Sequence, residues 1–187
     1  VGDGSANIFV DLLLEAEIQD LSAEKRIYEL KKSVFYSDKD IHIVGLPSDR
    51  LKISYTFHYD HQLTQFFSLE IDPLQYINKI AACRTFSFYK DIEPLLEKGL
   101  LKGGDLKNAV VIKNGKVANP SGLRFSDEMV RHKILDLLGD LYLINRSFNA
   151  HIIAIRSGHT SNVKFAKNLL SSLKEKLHES PIICSGY

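Results

Sequence analysis

Between Ser126 and Asn145 the chain reads SDEMVRHKILDLLGDLYLIN, a stretch whose apolar side chains leave little circumference for water. Met129, Val130, Ile134, Leu135, Leu137, Leu138, Leu141, Leu143 and Ile144 wrap most of a helix, so the fold must cover it on more than one side. Ser126 is the expected N-cap, with Asp127 and Glu128 placing negative charge in the first turn, where the helix dipole favours it. The polar exceptions form a stripe. His132, Asp136 and Asp140 fall at i, i+4 and i+8, so an imidazole and two carboxylates point the same way, one turn apart.

A His and an Asp one turn apart can chelate one metal ion, since zinc accepts imidazole nitrogen and carboxylate oxygen together. The plain alternative is a helix-surface pair of the kind that i, i+4 spacing often gives. Two features count against it: the acid follows the base, which is the poorer order for helix stability, and the flanks are apolar. Unpaired burial of such groups costs several kcal/mol, so the rest of the chain must supply a partner or an ion.

At 187 residues and 44% apolar content, the chain can bury one good-sized core, or one domain with part of another. A net charge of +1 with no basic stripe argues against nucleic acid and against an anionic membrane surface as partners. No apolar run reaches the roughly 18 residues of a membrane-spanning helix, so no stable membrane insertion is expected. Cys83 and Cys184 lie far apart and in no CxxC, which argues against a disulfide framework or a cysteine zinc site and fits a reducing cytoplasm. The chain begins at Val1 inside what reads as a motif, and an upstream portion is expected.

The opening GDGSA is a turn ending in a Ser cap, followed by a short helix with an apolar face (Phe9, Val10, Leu12, Leu13, Leu14, Ala16). Asp20 to Lys25 is a polar break, placing the end of a first domain at 1–22 and a second domain at 23–187. Alternation predicts strands over Arg26 to Tyr36, Ile41 to Leu46, Leu51 to Tyr59 and Gln65 to Ile71, a four-strand antiparallel meander. A helix from Pro73 to Ala82, another from Asp91 to Lys98 closed by Gly99, and a strand Ala109 to Ile112 follow. Asn114-Gly115 is a hairpin turn onto Lys116 to Ala118, so an inserted helix and strand element occupies about 91–118. Strand Ala150 to Arg156 and helix Thr160 to Lys176 complete an α+β two-layer sandwich, an antiparallel sheet with helices on one face.

Four smaller clusters carry side chains capable of chemistry. Ser157-Gly158-His159 sits between a strand and a helix capped by Thr160 or Ser161, where a loop side chain is held at a sheet end, although a loop His can simply be exposed. Cys83-Arg84-Thr85-Phe86-Ser87-Phe88 packs an Arg, a hydroxyl and two aromatics together; read plainly it is a core corner with Arg84 on the surface. His58 and His61 face opposite sides of a continuing strand and are discounted as a ligand pair. His178-Glu179 lacks the second His of a zincin motif and is discounted too.

Taken together, RHKILDLLGD (131–140), RTFSFYKDIE (84–93), GLRFSDE (122–128), SGH (157–159) and the opening DGSA with FVDLLLEAEI closely resemble the UDP-3-O-acyl-N-acetylglucosamine deacetylases, the zinc enzymes of the committed step of lipid A synthesis in Gram-negative bacteria. The resemblance runs in register from Val1 to about Lys176. It implies zinc (Zn2+) as cofactor, the UDP-acyl-sugar as substrate, hydrolysis of its acetamide with release of acetate, and an upstream first domain as the partner of this one. By the resemblance His132 and Asp136 are two of three zinc ligands. Asp140 orients His159, a cationic group that stabilises the oxyanion and protonates the leaving amine, and Thr85 lies beside the attacking water and carbonyl. Lys133 meets the diphosphate, Phe86 and Phe88 flank the sugar and the start of the acyl chain, and Tyr59 stacks on uracil. The insertion lines the acyl passage through Tyr89, Ile92, Gly104, Leu106, Ala109 and Val111, with Leu100 and Leu101 adding to its apolar character; a small satellite core is the alternative.

Some residues depart from the family pattern. The third ligand, a His, and the general base, a Glu, belong to a motif upstream of DGSA and are not in this chain. Ser87 stands where the family usually has Gly, and His58-Tyr59-Asp60-His61-Gln62 replaces an acidic-Phe-Asn-His-Pro run. The chain alone is therefore expected to be inactive. The rival reading is a uridine-nucleotide or acyl-binding module without catalysis; an RNA-binding α+β module conflicts with the neutral charge.

Overall fold

The computed structural model describes residues 2–60, 63–99 and 106–175. His61, Gln62, Leu100, Leu101, Gly104, His178, Glu179 and Cys184 lie outside the described residues. Helix α1 (Asn7–Glu15) follows the GDGSA turn, in which the Ser5 hydroxyl donates to Asp3 Oδ1 at 2.7 Å and accepts from the Asn7 N–H at 3.2 Å. None of its residues is buried: Ile8, Phe9, Leu12, Leu13 and Leu14 each stand about half exposed.

The alternating segments form β1 (Ile27–Leu30), β2 (Val34–Asp38), β3 (Ile41–Leu46), β4 (Lys52–Tyr59) and β5 (Leu63–Glu70). On β4, Ile53, Tyr55 and Phe57 turn into the core, while Ser54 on the other face bonds Ser68 and His151. Asp72 caps α2 (Pro73–Lys79) by accepting from the Gln75 N–H, with proline at the first helical position. β6 (Phe86–Phe88), α3 (Tyr89–Glu97), β7 (Val110–Lys113) and β8 (Lys116–Val117) form the inserted element. Asn114 and Gly115 both take positive φ, 50° and 71°, as a type I′ hairpin between β7 and β8 requires.

The long apolar stretch is α4 (Glu128–Tyr142), followed by β9 (Ser147–Asn149), β10 (His151–Ile155), α5 (His159–Ser172) and β11 (Leu173–Glu175). The main sheet has five strands in the order β2-β3-β10-β4-β5. α5 lies over β2 and β3, α4 over β4 and β5, and the two helices touch each other, so both cover one face. Ile134, Leu137 and Leu141 of α4 and Phe165 and Leu169 of α5 share a single core with Ile43, Ile53, Tyr55 and Ile152 of the sheet. The fold is the α+β sandwich that the sequence predicts.

Three local expectations are corrected. The strands do not form a meander: β10 inserts between β3 and β4, antiparallel to the first and parallel to the second, and β1 leaves for a separate sheet ordered β11-β1-β9. The parallel pair needs a crossover, and α4 supplies it. The last helix ends at Ser172 rather than Lys176, because Leu173 turns extended and Leu173–Glu175 pairs with β1. The N-cap of α4 is Asp127 rather than Ser126, whose carbonyl instead accepts from the Gln65 side chain at 3.2 Å.

Candidate active site

His132, Asp136 and Asp140 share the face of α4 that the sequence spacing assigns them. Backbone pairing in the turn before β6 brings the Cys83 carbonyl to His132, whose Nδ1 lies 3.0 Å from it. A carbonyl can only accept, so Nδ1 carries the proton and Nε2 is left to face Asp136 Oδ1 at 3.3 Å. Two lone-pair atoms face each other there unless a proton or a cation sits between them. A neutral imidazole beside an ionised carboxylate is the donor chemistry that zinc takes, and the carbonyl behind the ring is the usual means of fixing a ligand histidine. Burial pushes the Asp136 carboxyl upward, but the neighbouring His132 ring and the Lys133 ammonium outweigh it and hold the carboxyl at about 2. Among the described residues no group of three His, Cys, Asp or Glu side chains gathers as a metal site. His132 and Asp136 fit as two members of a larger donor set.

His159 is the first residue of α5, set at the end of β10. The Ser161 hydroxyl accepts from the Gly158 N–H at 2.9 Å and donates to the Gly158 carbonyl at 2.8 Å, closing the turn that presents the imidazole. Tyr55, buried on β4, donates its hydroxyl to the Ser157 carbonyl and accepts from the Ser157 hydroxyl at 3.1 Å. Burial raises the Tyr55 phenol to about 12, so it remains a donor. Held in this way, His159 spans two carboxylates. Its Nδ1 meets Asp140 Oδ2 at 2.9 Å and its Nε2 stands 4.0 Å from Asp136 Oδ1. The imidazole is 69% exposed while both carboxylates are 14% exposed, so the ring looks outward from a sheltered acidic floor.

Thr85 is exposed on the segment between the Cys83 carbonyl and β6. Its N–H donates to the Gly4 carbonyl at 2.7 Å and its carbonyl accepts from Val110 at 2.8 Å, so the opening DGSA turn and β7 grip it from both sides. Beneath it lies a correction to the sequence reading: Arg84 is buried at 6% exposure rather than on the surface. Its guanidinium meets both oxygens of Glu128, at 2.9 and 3.0 Å, and Glu128 also accepts the backbone N–H of Arg84 at 3.0 Å and of Arg124 at 2.7 Å. That arrangement ties the Cys83–Thr85 turn to the first turn of α4, and so fixes the carbonyl that holds His132. Burial pushes the Cys83 thiol up to about 12, and its Sγ donates to the Lys79 carbonyl at 3.5 Å.

Beside this centre runs a cleft of about 340 Å³ lined by Phe57, His58, Tyr59, Phe86, Ser87, Phe88, Asp91, Lys133, Arg156 and Ser157. Phe86 stands edge-on to both Phe57, at 5.2 Å, and His132, at 6.2 Å. Phe88 lies flat against Tyr59, and the Lys90 ammonium stands over the Tyr59 ring at 4.9 Å, so a ligand ring that stacked on Tyr59 would displace Lys90. Lys133 Nζ pairs with Asp136 Oδ2 at 2.6 Å, placing its charge between the acidic floor and the cleft. His58 bonds Thr64 at 2.8 Å. Of the acyl-passage candidates, Tyr89, Ile92, Leu106, Ala109 and Val111 are not among the residues lining this cleft. Tyr89 lies under Lys113, and Val111 is 8% exposed with its N–H bonded to Asn119 Oδ1.

Several contributors went unread in the sequence. Arg156 takes a positive φ of 55° at the end of β10, a conformation that a bulky residue adopts rarely, and lines the cleft while pairing with Asp40 Oδ2 at 3.1 Å. Tyr55 and Phe57 occupy the inward positions of β4, a parity legible from alternation, but their partners are not. Asn162, one turn into α5, donates to Asp140 Oδ2 at 2.9 Å. An Asn on the apolar face of that helix was the available signal.

Comparison with known proteins shows which family the chain belongs to. The family model described as LpxC, UDP-3-O-acyl N-acetylglycosamine deacetylase, matches residues 1–171. The chain is 47% identical over 177 residues to a UDP-3-O-acyl-N-acetylglucosamine deacetylase of Chlamydia pneumoniae, covering 93% of this chain and 63% of that protein. It is 44% identical over 186 residues to the protein of the same name from Chlamydia trachomatis serovar D, covering 98% and 64% respectively. It is also 43% identical over 177 residues to that of Chlamydia felis. The chain thus spans a little under two thirds of the length of the curated relatives it matches. With the matched residues reaching from the opening turn through α5, the chain belongs to the UDP-3-O-acyl N-acetylglycosamine deacetylase family.

Proposed function

We propose that this chain is the second domain, together with the last helix of the first, of a zinc-dependent deacetylase that hydrolyses the acetamide of UDP-3-O-acyl-N-acetylglucosamine, releasing acetate. The observation that carries this reading is the convergence of His132, Asp136, His159 and Asp140, with the Nδ1 of His132 committed to the Cys83 carbonyl. His132 Nε2 and the Asp136 carboxylate would hold zinc together with a donor from outside this segment. When bound, the metal supplies electrophilic polarisation of the amide carbonyl and activates water at neutral pH. The rest falls to the chain's own groups. Asp140 would accept a hydrogen bond from His159 Nδ1 and stabilise the imidazolium, whose Nε2 proton would pass to the leaving amine nitrogen as the C–N bond breaks, leaving a neutral imidazole. Thr85 offers its hydroxyl to the carbonyl side. Lys133 and Arg156 place two cations along the cleft, as a diphosphate needs, and Phe86 and Phe88 give the sugar an apolar wall. The acyl chain would run toward the inserted element through Tyr89, Ile92, Gly104, Leu106, Ala109 and Val111.

Residues 1–22 read as the last helix of a preceding domain and 23–187 as the second domain, with its insertion at about 91–118. What supports this is an α1 that buries none of its apolar residues within the described chain, together with relatives that are longer. A cytoplasmic setting agrees with a buried free thiol at Cys83, and no helix among the described residues is long and apolar enough to cross a membrane.

The test is made on the full-length protein. His132→Ala and Asp136→Ala are expected to lose bound zinc and deacetylation together, whereas His159→Gln keeps its zinc and loses kcat by about 10²- to 10⁴-fold, the span of a positioned general acid. Full zinc binding by His132→Ala would overturn the ligand assignment. Binding of the UDP-sugar with no turnover by the zinc-loaded wild type would leave the non-catalytic binding module instead.

A further inference from the structure

Asn162 is 1% exposed, and its side-chain amide is half satisfied. Nδ2 donates to Asp140 Oδ2 at 2.9 Å, the same oxygen that meets His159 Nδ1 at 2.9 Å. Oδ1 has no hydrogen-bond partner among the described residues. Reversing the amide would set its oxygen against a carboxylate, so the orientation with Nδ2 toward Asp140 is the one that charge permits. A buried acceptor left unmet costs about 1–3 kcal/mol, a cost that an apolar side chain of the same size would avoid. The neighbouring buried positions of α5, Phe165, Ala166 and Leu169, are apolar. The one side-chain hydrogen bond that Asn162 makes among the described residues leads to Asp140, the carboxylate that meets His159 Nδ1.

We propose that Asn162 is a positioning residue: its amide clamps the Asp140 carboxylate so that Oδ2 is held against Nδ1 of His159, which leaves Nε2 of His159 aimed toward Asp136. Only the kinetic consequence of this proposal rests on the deacetylase reading. Asp140 lies on α4 and His159 at the start of α5, so their contact depends on carboxylate rotation as well as on helix packing. A second donor from α5 itself, one turn past His159, removes that rotation.

The experiment compares full-length wild type with Asn162→Leu and Asn162→Ala by two independent readouts. In the NMR spectrum the hydrogen-bonded Nδ1 proton of His159, identified by its disappearance in His159→Gln, is expected in the wild type and lost to exchange in both Asn162 variants. In steady-state assays kcat is expected to fall about 10- to 100-fold with KM little changed and the melting temperature of Asn162→Leu no lower than that of the wild type. Introduced into an Asp140→Ala background, either substitution is expected to cause no further loss, because the group it acts through is gone. An Nδ1 proton that persists in both variants, or a kcat loss as large in the Asp140→Ala background as in the wild type, would overturn the positioning role. If the wild type lacks deacetylase activity, the function reading fails, while the NMR comparison still decides the clamp.

Discussion

Glu128 holds its charge at 0% exposure only because four donor contacts from Arg84 and Arg124 surround it. Burial acts to raise its carboxyl, but the Arg84 and Arg124 hydrogen bonds outweigh burial and set it below the ordinary glutamate range. A carboxyl depressed in the folded state stabilises the fold at pH values above its unfolded pKa, and that contribution is lost as pH falls toward its folded pKa. Urea unfolding is therefore expected to show the wild type well ahead of Glu128→Gln at pH 7, with the advantage shrinking below about pH 4. A constant difference across that range would separate the effect from ionisation. Glu128→Ala, which strands the guanidinium in the core, is expected to cost about 3–5 kcal/mol. No local sign announces this pair, since its members lie 44 positions apart and a lone Arg beside aromatics reads as a surface residue. His132, Asp136 and Asp140 were legible because helical period alone aligns them. His159 was legible as a loop residue at a strand end, and its contact with Asp140 across 19 positions depends on how α5 packs on α4.

Between residues and the whole fold, short connecting pieces decide where reactive groups sit. Gly4 has φ +83°, and a Cβ there would lie 2.2 Å from the Asn108 carbonyl oxygen, a backbone atom that cannot step aside. Its own carbonyl takes the Thr85 N–H. Gly4→Ala is expected to lower stability by more than about 1 kcal/mol and to free the Thr85 amide, measurable as faster hydrogen exchange at that position. Unchanged protection at Thr85 would mean that the turn holds Thr85 less firmly than the contact implies. The elements whose period is long were readable: α4, α5, β4 and β5 each lie where alternation or helical spacing puts them, within a few residues. The three-residue strands β9 and β11 carry no period to read. Leu173, Lys174 and Glu175 are all good helix formers, yet they pair with β1, so tertiary pairing overrides propensity there. The order of strands was illegible for a related reason. Ile152 and Ala154 mark the buried face of β10, but nothing local says that β3 and β4 are its neighbours.

At the scale of the molecule, the described chain brings the imidazoles of His132 and His159 and the carboxylates of Asp136 and Asp140 together beside a cleft, and α1 leaves its apolar residues about half exposed. Catalytic zinc sites use three protein ligands and keep one position open, so His132 and Asp136 alone would hold the ion weakly. Among the described residues no carboxylate stands free to take a proton from water at this centre: Asp136 is engaged by His132 and Lys133, and Asp140 by His159 and Asn162. His159 cannot fill both roles, since the form that protonates the amine is not a base. The 187-residue segment assayed alone with added zinc is therefore expected to bind the metal more weakly than the full-length protein and to show no deacetylation. It should still fold, because the five-stranded sheet, α4 and α5 enclose one continuous core with no contribution from α1. Circular dichroism and a cooperative melt check the fold, and zinc titration with an acetate-release assay checks the rest. Adding in trans the part of the longer relatives that this chain does not match is expected to restore turnover and to bury α1, seen as slowed hydrogen exchange over Asn7–Glu15. Robust acetate release by the isolated segment would show that the donor set is complete without a further domain, and would move the search for the third ligand and the base to the histidines and carboxylates of this chain.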